Sequence, residues 1–533
     1  MPKPLSSFAV LALLAGGLSA QTFVEATDAA GLGGPPKYWP LPLGPIPNFF
    51  SSPVTAVDYD GDGWDDISAS QGDAQPLKLY RNDGDGTFTE RAKAANIHVF
   101  GTHSHHLWGD PDDDGDLDLL VYAYGNIVEA GSLDGPGGII PLSTLVPLSD
   151  PNAVNQVAGK YRTLFYDNQG DGTFLEKAPD IGLDTAGRTG GVYTDLDGDL
   201  DLDLFSVSWG GDRANLFINN GSDSFRERTP DNINASKARG FSVHAVDYDS
   251  DGDNDILQTC DFGRSLIWRN EGGFKFSELE DEDLGILDDA NGMGSAIADF
   301  DHDGDFDWFI SAIYADVDLS SFMDETGNQL YRNEGNGQFA DVGDEAQVSN
   351  GAWGWGANFA DIDNDGEQDI LHTNGWWLDL YYDDLVRVFH NNGDGTFDEM
   401  AVASGLYDDG QGRGLAVFDY DQDGRIDVLI NNRDDGLSLW RNETLNAGNF
   451  LDIGLVGTVS NSYGVGATLS VRKSTSDRSG TSLHPQWFLI EASCNFQSQS
   501  PARAWVGVEG LQTVSVRVEW PSGLTEGFEL ATN

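Results

Sequence analysis

The nine residues DFDHDGDFD, Asp299 to Asp307, set the reading of the whole chain. Aspartate holds positions 1, 3, 5 and 9, glycine holds position 6, and the frame occurs seven times. It stands as DYDGDGWDD with Asp58, Asp60, Asp62 and Asp66, and as DPDDDGDLD with Asp110, Asp112, Asp114 and Asp118. DLDGDLDLD follows with Asp195, Asp197, Asp199 and Asp203, then DYDSDGDND with Asp247, Asp249, Asp251 and Asp255. The fifth copy carries Asp299, Asp301, Asp303 and Asp307, and DIDNDGEQD carries Asp361, Asp363, Asp365 and Asp369. The last is DYDQDGRID, with Asp419, Asp421, Asp423 and Asp427. Successive copies begin 52, 85, 52, 52, 62 and 58 residues apart. Only the third departs at position 6, where Leu200 stands for glycine.

Calcium takes six to eight oxygen ligands at about 2.3–2.6 Å. Acids on alternate residues turn three side chains inward, the glycine allows the bend, position 7 offers its carbonyl, and the ninth residue closes the cage. Four carboxylates packed so closely repel one another unless a cation neutralises them, so the spacing predicts up to seven Ca²⁺ ions. The loop is not an EF-hand. Position 12 would need Glu, and Ala69, Val121, Ser206, Gln258, Ile310, His372 and Ile430 stand there.

Around each loop the sequence reads as β-structure. A short apolar run precedes it (SPVTAV, GGVYT, FSVHAV), a second follows, and a third ends in Asn (LKLYRN, TLFYDN, SLIWRN). A Gly-rich turn then leads into a fourth run such as GTFTE or GTFLE. Four strands per repeat with turn signals between them, seven times over, predict an all-β, seven-bladed β-propeller with calcium-binding hairpin loops, plus a small C-terminal β domain. The seventh repeat lacks a fourth run, and QTFVEATDAAGL near the N-terminus matches GTFLEKAPDIGL and GTFDEMAVASGL. Residues 22–26 are therefore expected to complete the last blade and close the ring.

The chain has 533 residues, with Asp and Glu at 88 against Lys and Arg at 29, a net charge of −59. Such a balance leaves no basic stripe for nucleic acid and no draw to anionic lipid. Residues 1–20, MPKPLSSFAVLALLAGGLSA, have the charged start, short apolar run and small-residue end of a secretory signal peptide. No later stretch suggests a membrane span. The expected location is secreted, or periplasmic or at the cell surface, after signal removal. The two cysteines, Cys260 and Cys494, are far apart in sequence, and whether they pair stays open. His103, His105 and His106 form an H-x-H-H cluster with no spaced carboxylate or cysteine to complete a zinc set, and read as hydrogen-bonded histidines.

The aspartate loops and their flanking runs resemble the FG-GAP/VCBS repeats of integrin α-subunit propellers over residues 21–445. Residues 449–530 carry NFL, LVGTVSN, GVGA and WPSG, and are similar to the ASPIC/UnbV domain. The two parts in this order resemble the cartilage acidic protein family and its bacterial relatives. The resemblance implies calcium binding and a place outside the cytosol, and implies no settled activity.

In a four-stranded blade the calcium loops share a face with the Gly-rich turns. The second-to-third loops emerge on the other face and hold the long insertions, at about residues 124–160, 314–328 and 373–386. Loops on a rigid scaffold carry function, so the opposite face is the expected ligand face. Its candidates are Trp353, Trp355, Trp376, Trp377, Tyr381 and Tyr382, which can stack on sugars or anchor peptides. Arg188, Arg239 and Arg413, at equivalent sites ahead of first strands, suit a carboxylate or sulfate. The reading is of a calcium-stabilised binding or adhesion-type protein for an extracellular glycan or protein. An exported lyase or hydrolase on acidic polysaccharide is the alternative, against which stands the absence of any nucleophile elbow or H-E-x-x-H motif.

Overall fold

The computed structural model describes residues 22–532 apart from 34–51, 72–74, 124–127, 130–162, 186–187, 210–213, 222–223, 236–238, 280–289, 316–325, 377–380, 480–483 and the single positions 336, 434 and 446. The export signal expected over residues 1–20 lies outside these, as do Trp377 and most of the first two insertions.

Each aspartate loop is the hairpin between the first two strands of one antiparallel sheet. In the fifth blade the strands run Ser295–Ala298, Asp307–Ile310, Gln329–Asn333 and Phe339–Asp341, hydrogen-bonded in that order. The described residues hold seven such four-stranded arrangements, one per loop. Their first strands touch one another in cyclic order, from the second blade through the seventh to the first and back to the second. The fold is an all-β propeller. The seventh sheet takes its fourth strand from the N-terminus: Phe23–Glu25 pairs with Gly436–Asn442, Phe23 opposite Asn442 and Glu25 opposite Trp440.

Blades bury both faces against their neighbours, so the inner strands are almost continuously buried rather than alternating. The core lies between blades. One cluster joins Val192, Phe205 and Leu216 of the third to Val243, Ile256 and Trp268 of the fourth. Burial of each large side chain contributes about 1.5–3 kcal/mol. The inner strands approach so closely that glycine is required at places. A Cβ on Gly356 would lie 2.4 Å from the Arg413 carbonyl, and one on Gly414 would lie 2.8 Å from that of Gln497.

The C-terminal unit packs on the face that carries the aspartate loops. It contains a four-stranded sheet of Thr468–Lys473, Gln486–Leu489, Thr513–Glu519 and Thr525–Ala531, and a pair of Phe450–Gly454 with Arg503–Gly507. Between them, residues 490–500 run down the axis of the ring. Ala492 bridges to Tyr193 and Cys494 to Val243. Ala357 N donates to Asn495 O (3.4 Å) and Val54 N to Gln497 O (2.9 Å). Leu415 N donates to Ser498 Oγ (3.0 Å), and Trp108 N to Gln499 Oε1 (2.8 Å). Six of the seven inner strands bond this segment, and Ser498–Gln499 adds a parallel strand to the first blade. Cys260 and Cys494 are both buried, both reduced, and share one apolar cluster.

Candidate metal centres and the faces of the ring

The first, second, fourth, sixth and seventh loops are built by the same two backbone bonds. The first aspartate accepts two amides of its own turn: Asp58 takes Asp62 N (3.1 Å) and Gly63 N (2.8 Å), and Asp361 takes Asp365 N (3.1 Å) and Gly366 N (2.8 Å). The third loop achieves this with Leu200 at φ 78°, a left-handed conformation that costs a side-chain-bearing residue about 1–2 kcal/mol. Carboxylate oxygens of Asp58, Asp60 and Asp62 come within 4.8 Å of one another, as do those of Asp110, Asp112 and Asp114, and of Asp195, Asp197 and Asp199.

The ninth residue is buried in all seven loops. Its Oδ1 accepts the amide of the asparagine ending the third strand, at 2.7 Å from Asn82, 2.8 Å from Asn168 and 2.7 Å from Asn442. That asparagine also reaches across to the preceding blade. Asn168 Nδ2 donates to Tyr59 O (2.9 Å), Asn333 to Tyr248 O (2.8 Å) and Asn442 to Ile362 O (2.7 Å). Asn82 Nδ2 donates to Tyr420 O (2.9 Å), joining the first blade to the seventh. All seven asparagines make this staple. The sequence displayed the invariant Asn, but its partner is set by blade packing and could not be read from the repeat.

Burial drives the carboxyls upward, with neighbouring carboxylates adding to it. Asp66 is pushed up to about 9, Asp203 and Asp255 to about 8, and Asp307 and Asp427 well above the usual range. Such groups stay ionised only against a nearby cation. Oδ1 of Asp249 and of Asp421 are buried with no hydrogen-bond partner. All-oxygen donors, crowded and desolvated, fit calcium. The sixth loop adds a nitrogen: Asp363, Asp365 and His390 converge within 4.8 Å, with His390 Nδ1 held by Asp369 Oδ1 at 2.9 Å. In the first, fourth, fifth and seventh blades an arginine holds that third-strand place, and in the first and seventh it pairs with the loop. Arg81 bonds Asp60 (2.7 Å) and Asp62 (2.5 Å), and Arg441 bonds Asp421 (2.8 Å) and Asp423 (3.0 Å).

The sequence profile of the FG-GAP-like repeat matches residues 48–121, 195–258, 247–310, 315–372 and 376–430, more than half of the chain. The chain belongs to the FG-GAP-like repeat family. Curated relatives of this FG-GAP protein include cartilage acidic protein 1 of Homo sapiens, 28% identical over 46% of this chain and 39% of that protein. The same protein of Mus musculus is 27% identical over 46% and 40%. The chain thus spans about two fifths of the length of these relatives. A crystal structure of BBS1N in complex with ARL6DN aligns over 74% of this chain and 92% of that one, at TM-score 0.38 and 10% identity, a level that carries no argument.

The FG-GAP propeller offers its two faces unequally. The aspartate-loop face is covered by the C-terminal unit. Ser462 Oγ donates to Asp113 (2.6 Å) and Tyr463 OH to Gly115 O (3.0 Å) in the second loop. Trp505 Nε1 donates to Asn364 Oδ1 (2.9 Å) in the sixth, and Arg503 pairs with Asp65 (3.0 Å) in the first. A cavity of about 190 Å³ remains beneath that unit. Among its lining groups His244 pairs with Glu491 (3.0 Å) and Arg503 with Asp452 (2.9 Å).

On the other face the sequence candidates separate. Trp353, Trp355 and Tyr381 are buried, Trp353 stacked on Trp376 at 4.8 Å and crossed by Tyr381 at 5.2 Å. Arg413 is fully buried, 4.1 Å over the Trp355 ring, and donates to the carbonyls of Gly375 (3.2 Å) and Gly412 (2.7 Å). Arg188 is buried and donates to Asn215. Trp353, Trp355 and Tyr381 sit inside the ring wall, in one apolar cluster with Phe496 of the axial segment. Arg239 and Tyr382 are exposed. Arg239 lies between Trp209 (5.3 Å) and the exposed Phe262 (5.0 Å), which sequence reading had not singled out. His106 bonds Ser68 (2.9 Å) and Ser70 (3.1 Å), and His103 bonds Ser70 (3.0 Å), across the seam between the first two blades.

Proposed function

We propose that the chain is an exported, calcium-loaded propeller that binds an extracellular glycan or protein through the face opposite the calcium loops. In this reading residues 1–20 direct export, residues 21–445 form the binding body, and residues 449–530, the ASPIC/UnbV-like part, serve as its lid and axle. One observation carries the choice of face. The C-terminal unit sits on the calcium loops and fills the axis with residues 490–500, so the second-to-third loops are the broad surface left to a ligand. On it, Arg239 with Trp209, Phe262 and Tyr382 supplies an exposed cation and aromatic faces, groups suited to an acidic sugar or a peptide side chain. Among the described residues no helix is long and apolar enough to cross a membrane.

The test is an array of acidic glycans and matrix proteins probed with purified protein, with and without chelator, alongside Arg239→Ala. Binding that needs calcium and falls at least tenfold in the variant is expected. Binding untouched by Arg239→Ala removes this face from the reading, and release of new reducing or unsaturated ends makes the protein an enzyme.

A further inference from the structure

The second loop is built differently from the other six. In those six the ninth aspartate is satisfied twice, through the third-strand asparagine and through the amide of position 2. Tyr59, Leu196, Tyr248, Phe300, Ile362 and Tyr420 supply that second bond at 2.9–3.3 Å. In the second loop position 2 is Pro111, which has no N–H. Asp118 keeps its bond from Asn168 (2.8 Å), while its Oδ2 is buried with no hydrogen-bond partner and the residue is 2% exposed.

A second change meets the first. The residue before the third-strand asparagine is Arg81 in the first blade and Arg441 in the seventh, each pairing with its loop. Here it is Asp167. Oxygens of Asp112, Asp118 and Asp167 lie within 4.8 Å of one another. Lys177 holds one oxygen of Asp167 from outside at 2.6 Å, and Gln169 bonds the other. Each carboxylate oxygen keeps a further lone pair for a metal. Where arginines of the first and seventh blades pair with their loops, this loop faces a fifth carboxylate, and its ninth aspartate, alone among the seven, keeps a buried oxygen with no hydrogen-bond partner.

We propose that the second loop is the tightest divalent-cation site of the chain, with Asp167 as an added ligand and Asp118 Oδ2 turned to the ion by the loss of an amide at Pro111. The inference rests on the calcium reading above. Affinity in oxygen cages rises with the number of charged ligands, and an orphaned buried carboxylate oxygen gains most from a cation. The ion taken is a hard one, Ca²⁺, because every donor is oxygen.

The test is a Ca²⁺ titration of the decalcified full chain, with heat as the readout and bound ions counted by native mass spectrometry. One equivalent is expected to bind ahead of the rest. Asp167→Arg installs the residue of the first and seventh blades, and Pro111→Ala restores an amide facing Asp118. Each should weaken that first equivalent about tenfold or more, merging it with the others. Should Asp167→Arg fail to fold, Pro111→Ala decides alone. A first equivalent that persists unweakened in both variants, or ions that bind the unmodified chain as one class, overturns the inference and leaves the calcium reading standing. A chain that binds no ion overturns both.

Discussion

His105 lies in the first strand of the second blade, its ring stacked on Tyr122 at 6.2 Å and both ring nitrogens buried without a partner. Burial lowers it to about 3, and lowers His103 to about 4 and His106 well below the usual value. An unfolded histidine titrates near 6.5. Below that pH the unfolded chain takes up protons that the folded one refuses, so stability present above about 6.5 is lost progressively as pH falls toward 4. His105→Phe removes one such group and two unpartnered polar atoms. It should stabilise the protein by about 1–3 kcal/mol at pH 8. The advantage should widen by about 1 kcal/mol per unit as pH falls below 6. Urea unfolding of both proteins at pH 8, 6 and 5 checks this, since the aspartate loops are common to both and cancel in the difference. A pH-independent gap would show that His105 finds a proton partner in the fold.

At the scale of elements, the N-terminal strand joins the two ends of the propeller. Phe23–Glu25 hydrogen-bonds the outer edge of the seventh blade, and Ala26, Ala30 and Leu32 pack with Val54, Ile67 and Phe88 of the first. Deleting residues 21–31 bares a strand edge and removes several buried side chains. A loss of about 3–5 kcal/mol is expected, read as a clear fall in melting temperature together with aggregation; a melting temperature left in place would show that the ring does not depend on this segment. The place of this strand was legible because QTFVEATDAAGL repeats the fourth-strand segments of other blades. The aspartate hairpins were legible for the same reason, since seven copies expose a pattern that one would not. Features written once were harder to read. Pro111 and Asp167 gain meaning only when the second loop is laid beside the bonds of the other six. The tryptophans of the sixth blade gave a stacking signal that core packing and surface recognition share, and three-dimensional packing places Trp353 and Trp355 in the wall.

The whole molecule is organised around a segment with no pattern to announce it. Residues 490–500, IEASCNFQSQS, show neither strand alternation nor a helical period, because the segment answers in turn to six different blades. Phe496 is the largest group on the axis, edge-on to Phe241 at 5.1 Å and against Trp355 at 5.1 Å, so it joins the fourth and sixth blades through the centre. If the axial segment is structural glue for the ring, its damage must be felt by the propeller and not only by the unit that supplies it. Phe496→Ala should cost about 3–5 kcal/mol, the usual range for emptying a buried aromatic site. The loss should lower a single unfolding transition shared by both parts, since bonds to six inner strands couple them. Calorimetry of the calcium-loaded variant reads this directly, and limited proteolysis reports which part opens. Two separated transitions, with that of the propeller unmoved, would mean that the ring holds itself shut through its asparagine staples and aspartate loops alone, and that the C-terminal unit is a passenger on its aspartate-loop face.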